Sequence, residues 1–139
     1  MDDKSQVIKH LEMIQGIINR LGHDSFLIKG WSMTILAAGI IFIARSEIQS
    51  EGIVLVFLVP VIGFWILDGY FLWQERLFRR VYNEIRKQEI TDFAMNTKKH
   101  KSECSWRAAT LSETLNRFYT IEIVFVLAVF FMLKICGGS

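Results

Sequence analysis

The amino-acid sequence predicts an all-α membrane protein with three transmembrane helices. Hydrophobic residues make up 52% of its 139 residues, and the mean hydropathy is +0.32. This apolar content exceeds what the core of one soluble domain of this length needs. The excess lies in three runs, at 26–45, 53–74 and 119–135, each meeting the minimum of roughly 17 residues for a helix that crosses a bilayer. So short a chain cannot wrap three such helices in protein, so we expect lipid to cover them.

The distribution of Lys and Arg predicts the orientation of these helices. The connection between the first two runs, RSEIQSEG, contains one Arg and two Glu, whereas residues 76–117 contain ten Lys and Arg residues. We expect the protein in the inner (cytoplasmic) membrane. Because basic loops stay on the cytoplasmic side, the long connection and the N-terminus should lie in the cytoplasm and the C-terminus on the outer side. Trp31 and Trp73 then fall at the cytoplasmic interface, where Trp commonly anchors. The N-terminal segment has no pattern of a cleavable signal peptide.

The N-terminal segment predicts an amphipathic cytoplasmic helix at 5–22. Its apolar residues follow the 4, 3, 4, 3 spacing of a heptad seam, namely Val7, Leu11, Ile14, Ile18 and Leu21. Such a seam needs a partner, and we predict that it joins copies into a homo-oligomer. The second span is predicted to continue as one helix to about residue 87 with its own apolar stripe, so the alternative is that the two stripes pack together.

The stretch between the second and third spans is predicted to be a loop. Residues 88–104 are polar and lack periodicity. Ser105 or Ser102 is a candidate N-cap for a helix that leads into the third span. The single domain would therefore consist of spanning helices and a helical cytoplasmic layer.

Charged residues inside the apolar runs are the main candidates for a functional site. Asp68 lies near the cytoplasmic end of the second span, where a charged side chain costs roughly 2.5 to 3.5 kcal/mol to insert. Lys29 in the first span and Glu122 in the third are expected at a similar depth. Two interpretations are open. Either Lys29 pairs with Asp68 and fixes the helix register while Glu122 reaches the interface, or Asp68 and Glu122 form an acidic ring around an oligomeric cation pathway.

A stripe of small residues on the first span predicts close helix packing. Gly30, Thr34 and Ala38 recur every four residues, a spacing that lets membrane helices approach closely. The contact could lie within the chain or between copies. The rest of this span is mostly large and apolar, so a pore along it would have a hydrophobic constriction that stays dry at rest.

The basic residues after the second span are a further candidate. The simpler interpretation is the positive-inside signal together with contact to anionic headgroups. The sharper one is binding of a nucleotide or oligonucleotide signal, although no phosphate-binding loop is present. The residues concerned are Arg79, Arg80, Lys98, Lys99 and Lys101.

The sequence contains no pattern typical of catalysis. His10, His23 and His100 are far apart, and none accompanies a nucleophile or carboxylate at a recognisable spacing. Cys104 and Cys136 show neither a CxxC motif nor a His partner at ligand spacing, so we expect free thiols. We therefore expect neither an enzyme nor a cofactor nor a metal site.

Three stretches resemble a widespread group of small bacterial membrane proteins: LEMIQGIINRLGHDSFLIKGW, FWILDGYFLWQERLFRRVYNEIR and DFAMNT. The arrangement of a cytoplasmic helix, a hairpin of spans and a basic cytoplasmic helix is also similar to the SLATT class, two-span effectors of nucleotide-signalling defence systems. This chain departs from that pattern by its third apolar run.

The resemblance to the SLATT class implies a function in anti-phage defence. It implies a membrane channel or pore that a cytoplasmic signal or partner protein opens. Asp68, Tyr70, Glu75 and Arg79 in the matching block would orient the second helix and its neighbours. The alternative is a non-conducting accessory anchor that recruits or regulates a cytoplasmic defence enzyme.

Overall fold

The computed structural model describes residues 3–45 and 51–137. These residues contain α-helices and short 3-10 segments and no β-strand, which confirms the all-helical prediction. The 3-10 segments are Glu51–Phe57, which leads directly into α2, and Lys98–His100. The helices are α1 (Asp3–Arg45), α2 (Leu58–Ile85), α3 (Trp106–Thr110) and α4 (Glu113–Gly137).

Three helices are long and apolar enough to cross a membrane, as the sequence predicts. They comprise Asp3–Arg45, Gly52–Ile85 and Glu113–Ile135. Large apolar side chains lie on their outer surfaces, and Phe26 is 72% exposed. An apolar surface of this extent is typical of helices that contact lipid. Residues 46–50 of the predicted outer connection and the side chain of Cys136 lie outside the described part of the chain.

The segments predicted separately at 5–22 and 26–45 belong to one continuous helix. α1 contains 43 residues and is therefore about 65 Å long at 1.5 Å per residue. No proline interrupts it, and none of the described glycines has a positive φ that would end a helix. The N-terminal segment and the first apolar run are thus parts of one helix.

The boundaries of the remaining helices also differ from the sequence prediction in detail. α2 ends at Ile85, close to the predicted end near residue 87. Ser105 occupies the N-cap position of α3, but its side chain makes no capping hydrogen bond. The helix that was expected to run from there into the third span is interrupted at 111–112, and α4 begins at Glu113.

The apolar seam of α1 is buried inside the chain. Val7, Ile14 and Ile18 pack against Val81 and Ile85 of α2. This is the alternative arrangement of the two stripes, and it occupies the surface that was predicted to join copies. Leu11 packs against the same cluster, and Leu21 is half-buried. A homo-oligomer would therefore need a different contact surface.

The opposite end of the molecule brings α4 onto the hairpin of α1 and α2. Val126 of α4 packs in one cluster with Leu36 and Ile43 of α1 and with Val54. A neighbouring cluster joins Tyr119 to Val61, together with Leu115. These contacts place the three apolar helices side by side and set the level at which their polar side chains meet.

The small-residue stripe of α1 faces outward. Gly30, Thr34 and Ala38 are all exposed, and a Cβ added to Gly30 would meet no atom within 4 Å. The Thr34 hydroxyl is used locally, since it donates to the Gly30 carbonyl at 2.8 Å. The stripe does not pack within the chain, which leaves it accessible to another helix.

Close backbone packing occurs instead at Gly69 of α2. A Cβ placed on Gly69 would lie 2.2 Å from Thr110 Oγ1 and 2.9 Å from Thr110 Cα. Glycine is therefore required for α3 to lie against α2 at this point. This contact is not predictable from the sequence, because a single glycine in an apolar helix does not indicate which residue it will contact.

Candidate functional site

Asp68 is the centre of a hydrogen-bonded network between the spanning helices. Its side chain is 0% exposed. Lys29 Nζ lies 2.5 Å from Oδ2, and the Tyr119 hydroxyl donates to the same oxygen at 3.1 Å. The Ser25 hydroxyl donates to Oδ1 at 2.5 Å. The carboxylate thus has a cation and two hydroxyl donors, which is the arrangement that a buried charge requires.

The geometry of two helices explains why these groups meet. Ser25 and Lys29 are four residues apart on α1 and therefore share one face. The Lys29 ammonium also donates to Ser25 Oγ at 2.9 Å, so both donors are held together. From the other side, Tyr119 of α4 stacks on the Trp65 indole at a centroid distance of 5.8 Å. This contact holds the phenol in place beside Asp68.

Glu122 forms a second polar contact, one turn further along the helices. It is 6% exposed, and Ser32 Oγ donates to its Oε2 at 2.7 Å. Its other oxygen, Oε1, has no hydrogen-bond partner within the described part of the chain. The expectation that Glu122 snorkels to the interface does not hold. Residue 122 is more than two turns into α4, and the rotation of that helix directs its side chain towards α1.

These contacts form a polar layer across the three apolar helices. The polar layer consists of Ser25, Lys29, Ser32, Asp68, Tyr119 and Glu122. The Lys29–Asp68 pair of the first interpretation is present. Asp68 is enclosed by its neighbours within one chain. The acidic ring concerns an assembly of several copies and stays a prediction. The sequence analysis missed Ser25, Ser32 and Tyr119. Of these three residues, only Ser25 could have been predicted from the sequence, because it lies four residues before Lys29 on the same helix.

An apolar groove opens beside the polar layer. It has a volume of about 450 Å³ and runs between α1 and α4, where Met33, Ile40 and Phe125 contribute to its walls. Glu122 is the only charged residue in its lining. The groove brings the exposed apolar surface of α1 and α4 close to the buried carboxylate.

The five basic residues singled out from the sequence do not form one site. Lys99 pairs with Glu84 at 2.5 Å, and Lys101 lies 5.7 Å from the centre of the Trp73 ring. Lys98 is exposed and has no ion pair among the described residues. Hydrogen bonds from Lys99 and His100 lower the pKa of the Glu84 carboxyl below its usual value.

The two arginines of that set lie elsewhere. Arg79 pairs with Glu75 at 2.7 Å, while Arg80 lies 3.8 Å from Glu103. Both line a separate cleft together with Arg76. The structure thus divides the predicted basic region into a cluster around Glu84 and an arginine-lined cleft.

Of the four residues that the resemblance implies to orient α2, Asp68 forms hydrogen bonds to both neighbouring helices. Tyr70 and Glu75 form their hydrogen bonds within α2, to Gln74 and Arg79. Glu75 also lies beside Gly22, whose added Cβ would be 3.9 Å from its Oε2. Asp68 therefore contributes most to helix orientation.

His10 connects α1 to the polar connection after α2. Its ring is buried, Nδ1 lies 2.6 Å from Thr91 Oγ1, and the ring centre is 5.3 Å from that of Phe93. Phe93 has a φ of 57°, a left-handed conformation that few non-glycine residues adopt. Burial lowers the pKa of His10 below its usual value of 6.5, and the charge of Asp92 acts in the opposite direction.

This burial predicts that acid loosens the contact between α1 and the connection after α2. A histidine whose folded pKa is lowered contributes stability that is present above the unfolded pKa and is lost as the pH falls through the folded pKa. We expect the wild-type free energy of unfolding in detergent to fall more than that of His10→Asn between about pH 7.5 and pH 5. His23→Asn, at an exposed position of α1, is the matched control. Parallel pH profiles for wild type and His10→Asn would contradict the prediction.

The described residues contain no group of three or more His, Cys, Asp or Glu side chains arranged to hold a metal ion. Comparisons with protein-family models, with curated proteins and with solved structures return no match.

Proposed function

We propose that the protein is a homo-oligomeric channel or membrane-disrupting effector of the bacterial inner membrane, gated from the cytoplasm by a signal or a partner protein. The observation that carries the proposal is the polar layer. Asp68 and Glu122 lie buried, and Lys29 lies partly buried, within helices that are otherwise apolar. Ionisable groups at such positions are costly and rare in membrane helices, and those that occur often mark ion pathways. The resemblance to SLATT effectors supports a function in anti-phage defence.

The closed state of the proposed channel corresponds to one compact chain in which Lys29 neutralises Asp68. Opening would separate α4 from α1, so that Lys29, Asp68 and Glu122 become hydrated between copies. The outward small-residue stripe of α1 is the surface along which copies would approach. A signal that binds the open arrangement more tightly would shift the population towards it. The continuous α1 would transmit the displacement from the cytoplasmic layer.

A non-conducting membrane anchor is the second candidate. The complete pairing of Asp68 favours it, because a satisfied buried ion pair is sufficient to set helix register. In that case the polar layer would be structural, and the cytoplasmic layer would recruit a defence enzyme. Both candidates use the same proposed topology, with the N-terminus in the cytoplasm and the C-terminus outside.

Ion flux separates the two candidates. Purified protein is reconstituted into liposomes at rising protein-to-lipid ratios, and K⁺ efflux is followed with a fluorescent indicator. We expect efflux that grows more than linearly with density, as an oligomer requires, and that changes with Glu122→Gln. Glu12→Gln, at an exposed position of α1, is the matched control. Absence of efflux at every density, with the protein folded, would favour the anchor.

A further inference from the structure

A cleft beside the end of the apolar run of α2 is lined by three arginine side chains. Its volume is about 370 Å³. One wall consists of Arg76, Arg79, Arg80 and Asn83 of α2, and the other of Glu103, Cys104, Ser105 and Ala108. The α2 residues are spaced three, one and three apart, so all four lie on one face of the helix. The cleft is therefore built by one helix face and the segment that crosses it.

The crossing segment is held at a fixed distance from α2. Trp73 Nε1 donates to the Cys104 carbonyl at 2.7 Å, and Trp65 Nε1 donates to the Thr110 carbonyl at 2.9 Å. Between them, Arg76 donates to the Ala108 carbonyl at 3.3 Å. These bonds anchor the second wall at several points, so the cleft exists before any ligand binds.

The charge of the cleft favours an anion. Its lining contains three arginines and one glutamate, Glu103, a net charge of +2. Glu103 lies 3.8 Å from Arg80, a loose contact between half-exposed side chains. The second carboxylate nearby, Glu75, binds Nε and Nη2 of Arg79 through one oxygen. The outer guanidinium nitrogens remain available to a ligand.

The donors of the cleft match a phosphate group. Planar guanidinium groups bind phosphate oxygens through paired hydrogen bonds. The side chains of Asn83 and Ser105, which form no hydrogen bond to other described residues, supply neutral donors on the two facing walls. A carboxylate ligand would use fewer of these groups than a tetrahedral oxyanion.

The depth of the cleft places it at headgroup level. Trp73 ends the apolar run of α2, and at 1.5 Å per residue Arg76 and Arg80 lie about 4.5 and 10 Å further along the axis. Each headgroup layer of a bilayer is roughly 5 to 7 Å thick. If the membrane-spanning part of α2 ends at Trp73, the cleft begins at the level of the lipid phosphates, within reach of a phospholipid headgroup and of a soluble phosphate compound.

We propose that this cleft is a binding site for a phosphate group. Arg79 and Arg80 hold the phosphate from α2, Arg76 contributes its remaining donors, and Ser105 closes the site from the opposite wall. The phosphate belongs either to an anionic phospholipid or to a soluble phosphate compound. The site is independent of conduction, so it holds equally for a channel and for an anchor.

Thermal unfolding of the full chain in nanodiscs tests both sources. In the lipid arm, discs of phosphatidylcholine are compared with discs that contain phosphatidylglycerol. In the soluble arm, inorganic phosphate, pyrophosphate and ATP are titrated against the protein in phosphatidylcholine discs, with sulfate-free chloride buffer at constant ionic strength. We expect a rise in Tm in at least one arm, and that arm identifies the source of the phosphate.

Charge-matched variants distinguish a site from general attraction. Arg79→Gln/Arg80→Gln and Lys87→Gln/Lys98→Gln each remove two exposed cations. We expect the arginine variant to lose about tenfold or more of the apparent affinity for the stabilising probe, and the lysine variant less than about threefold. Glu103→Gln should increase the affinity, because it removes the carboxylate that competes for Arg80. The exposed ion pairs of both arginines contribute little to stability, so the variant is expected to fold.

Three results would overturn the proposal. The first is a Tm that no probe in either arm changes. The second is an equal loss in the arginine and lysine variants, which would indicate nonspecific attraction to the basic surface. The third is a Glu103→Gln variant with weakened binding. None of these results bears on K⁺ efflux, so failure of the phosphate site and failure of the proposed channel remain distinguishable.

Discussion

Replacement of Lys29 by Met is expected to destabilise the protein by about 3–5 kcal/mol, because it leaves a buried carboxylate without its cation. Asp68 is fully buried, and Lys29 is its one cationic partner among the described residues. The two hydroxyl donors, Ser25 and Tyr119, cannot replace a positive charge in an apolar surrounding. The measurement is the free energy of unfolding in detergent micelles, followed by circular dichroism during titration with a denaturing detergent.

The double variant Lys29→Met/Asp68→Asn separates loss of the pair from loss of packing. The Asn side chain is neutral, and its one carbonyl oxygen can accept from Ser25 or Tyr119 while its amide donates to the other hydroxyl, so we expect most of the lost stability to return. Lys9→Met, at an exposed position of the same helix, is the control and should change stability by less than about 0.5 kcal/mol. The prediction fails if Lys29→Met behaves like Lys9→Met, or if the double variant is no more stable than the single one.

Replacement of Gly69 by Ala is expected to cost about 1–3 kcal/mol, since the added methyl group would overlap the backbone of α3. The added Cβ would be 2.9 Å from Thr110 Cα, and a backbone atom cannot move aside as a flexible side chain can. We expect α3 to be displaced from α2, which would also widen the arginine-lined cleft. Loss of stability is measured by the same unfolding titration.

Gly63→Ala in α2 is the matched control. A Cβ on Gly63 would meet no atom within 4 Å, so the substitution leaves packing unchanged and raises helix propensity by up to about 1 kcal/mol. The two variants make the same chemical change in the same helix. Gly69→Ala should lower the free energy of unfolding, and Gly63→Ala should raise it. If Gly69→Ala is as stable as Gly63→Ala, α3 does not pack on α2 as described.

The polar layer was only partly predictable from sequence. Lys29 and Asp68 could be matched because antiparallel spans of known length place residues at calculable depths. That calculation gives depth but not rotation. Glu122 was expected at the interface but is buried, because the rotation of α4 is set by its packing on α1 and α2, which the sequence of one helix does not reveal. Tyr119 was missed as a partner of Asp68 for the same reason.

The sequence by itself determined the helical class, the three apolar runs and the extension of α2 beyond the second span. These properties follow from hydropathy and periodicity along a single segment, and they need no knowledge of what a helix contacts. The tertiary structure decided which faces of the helices are in contact. It paired the seam of α1 with the stripe of α2, turned the small-residue stripe outward and assembled Arg76, Arg79 and Arg80 opposite Ser105. Such contacts depend on helix rotation and on chain crossings between distant residues, and these are set by the packing of the whole molecule.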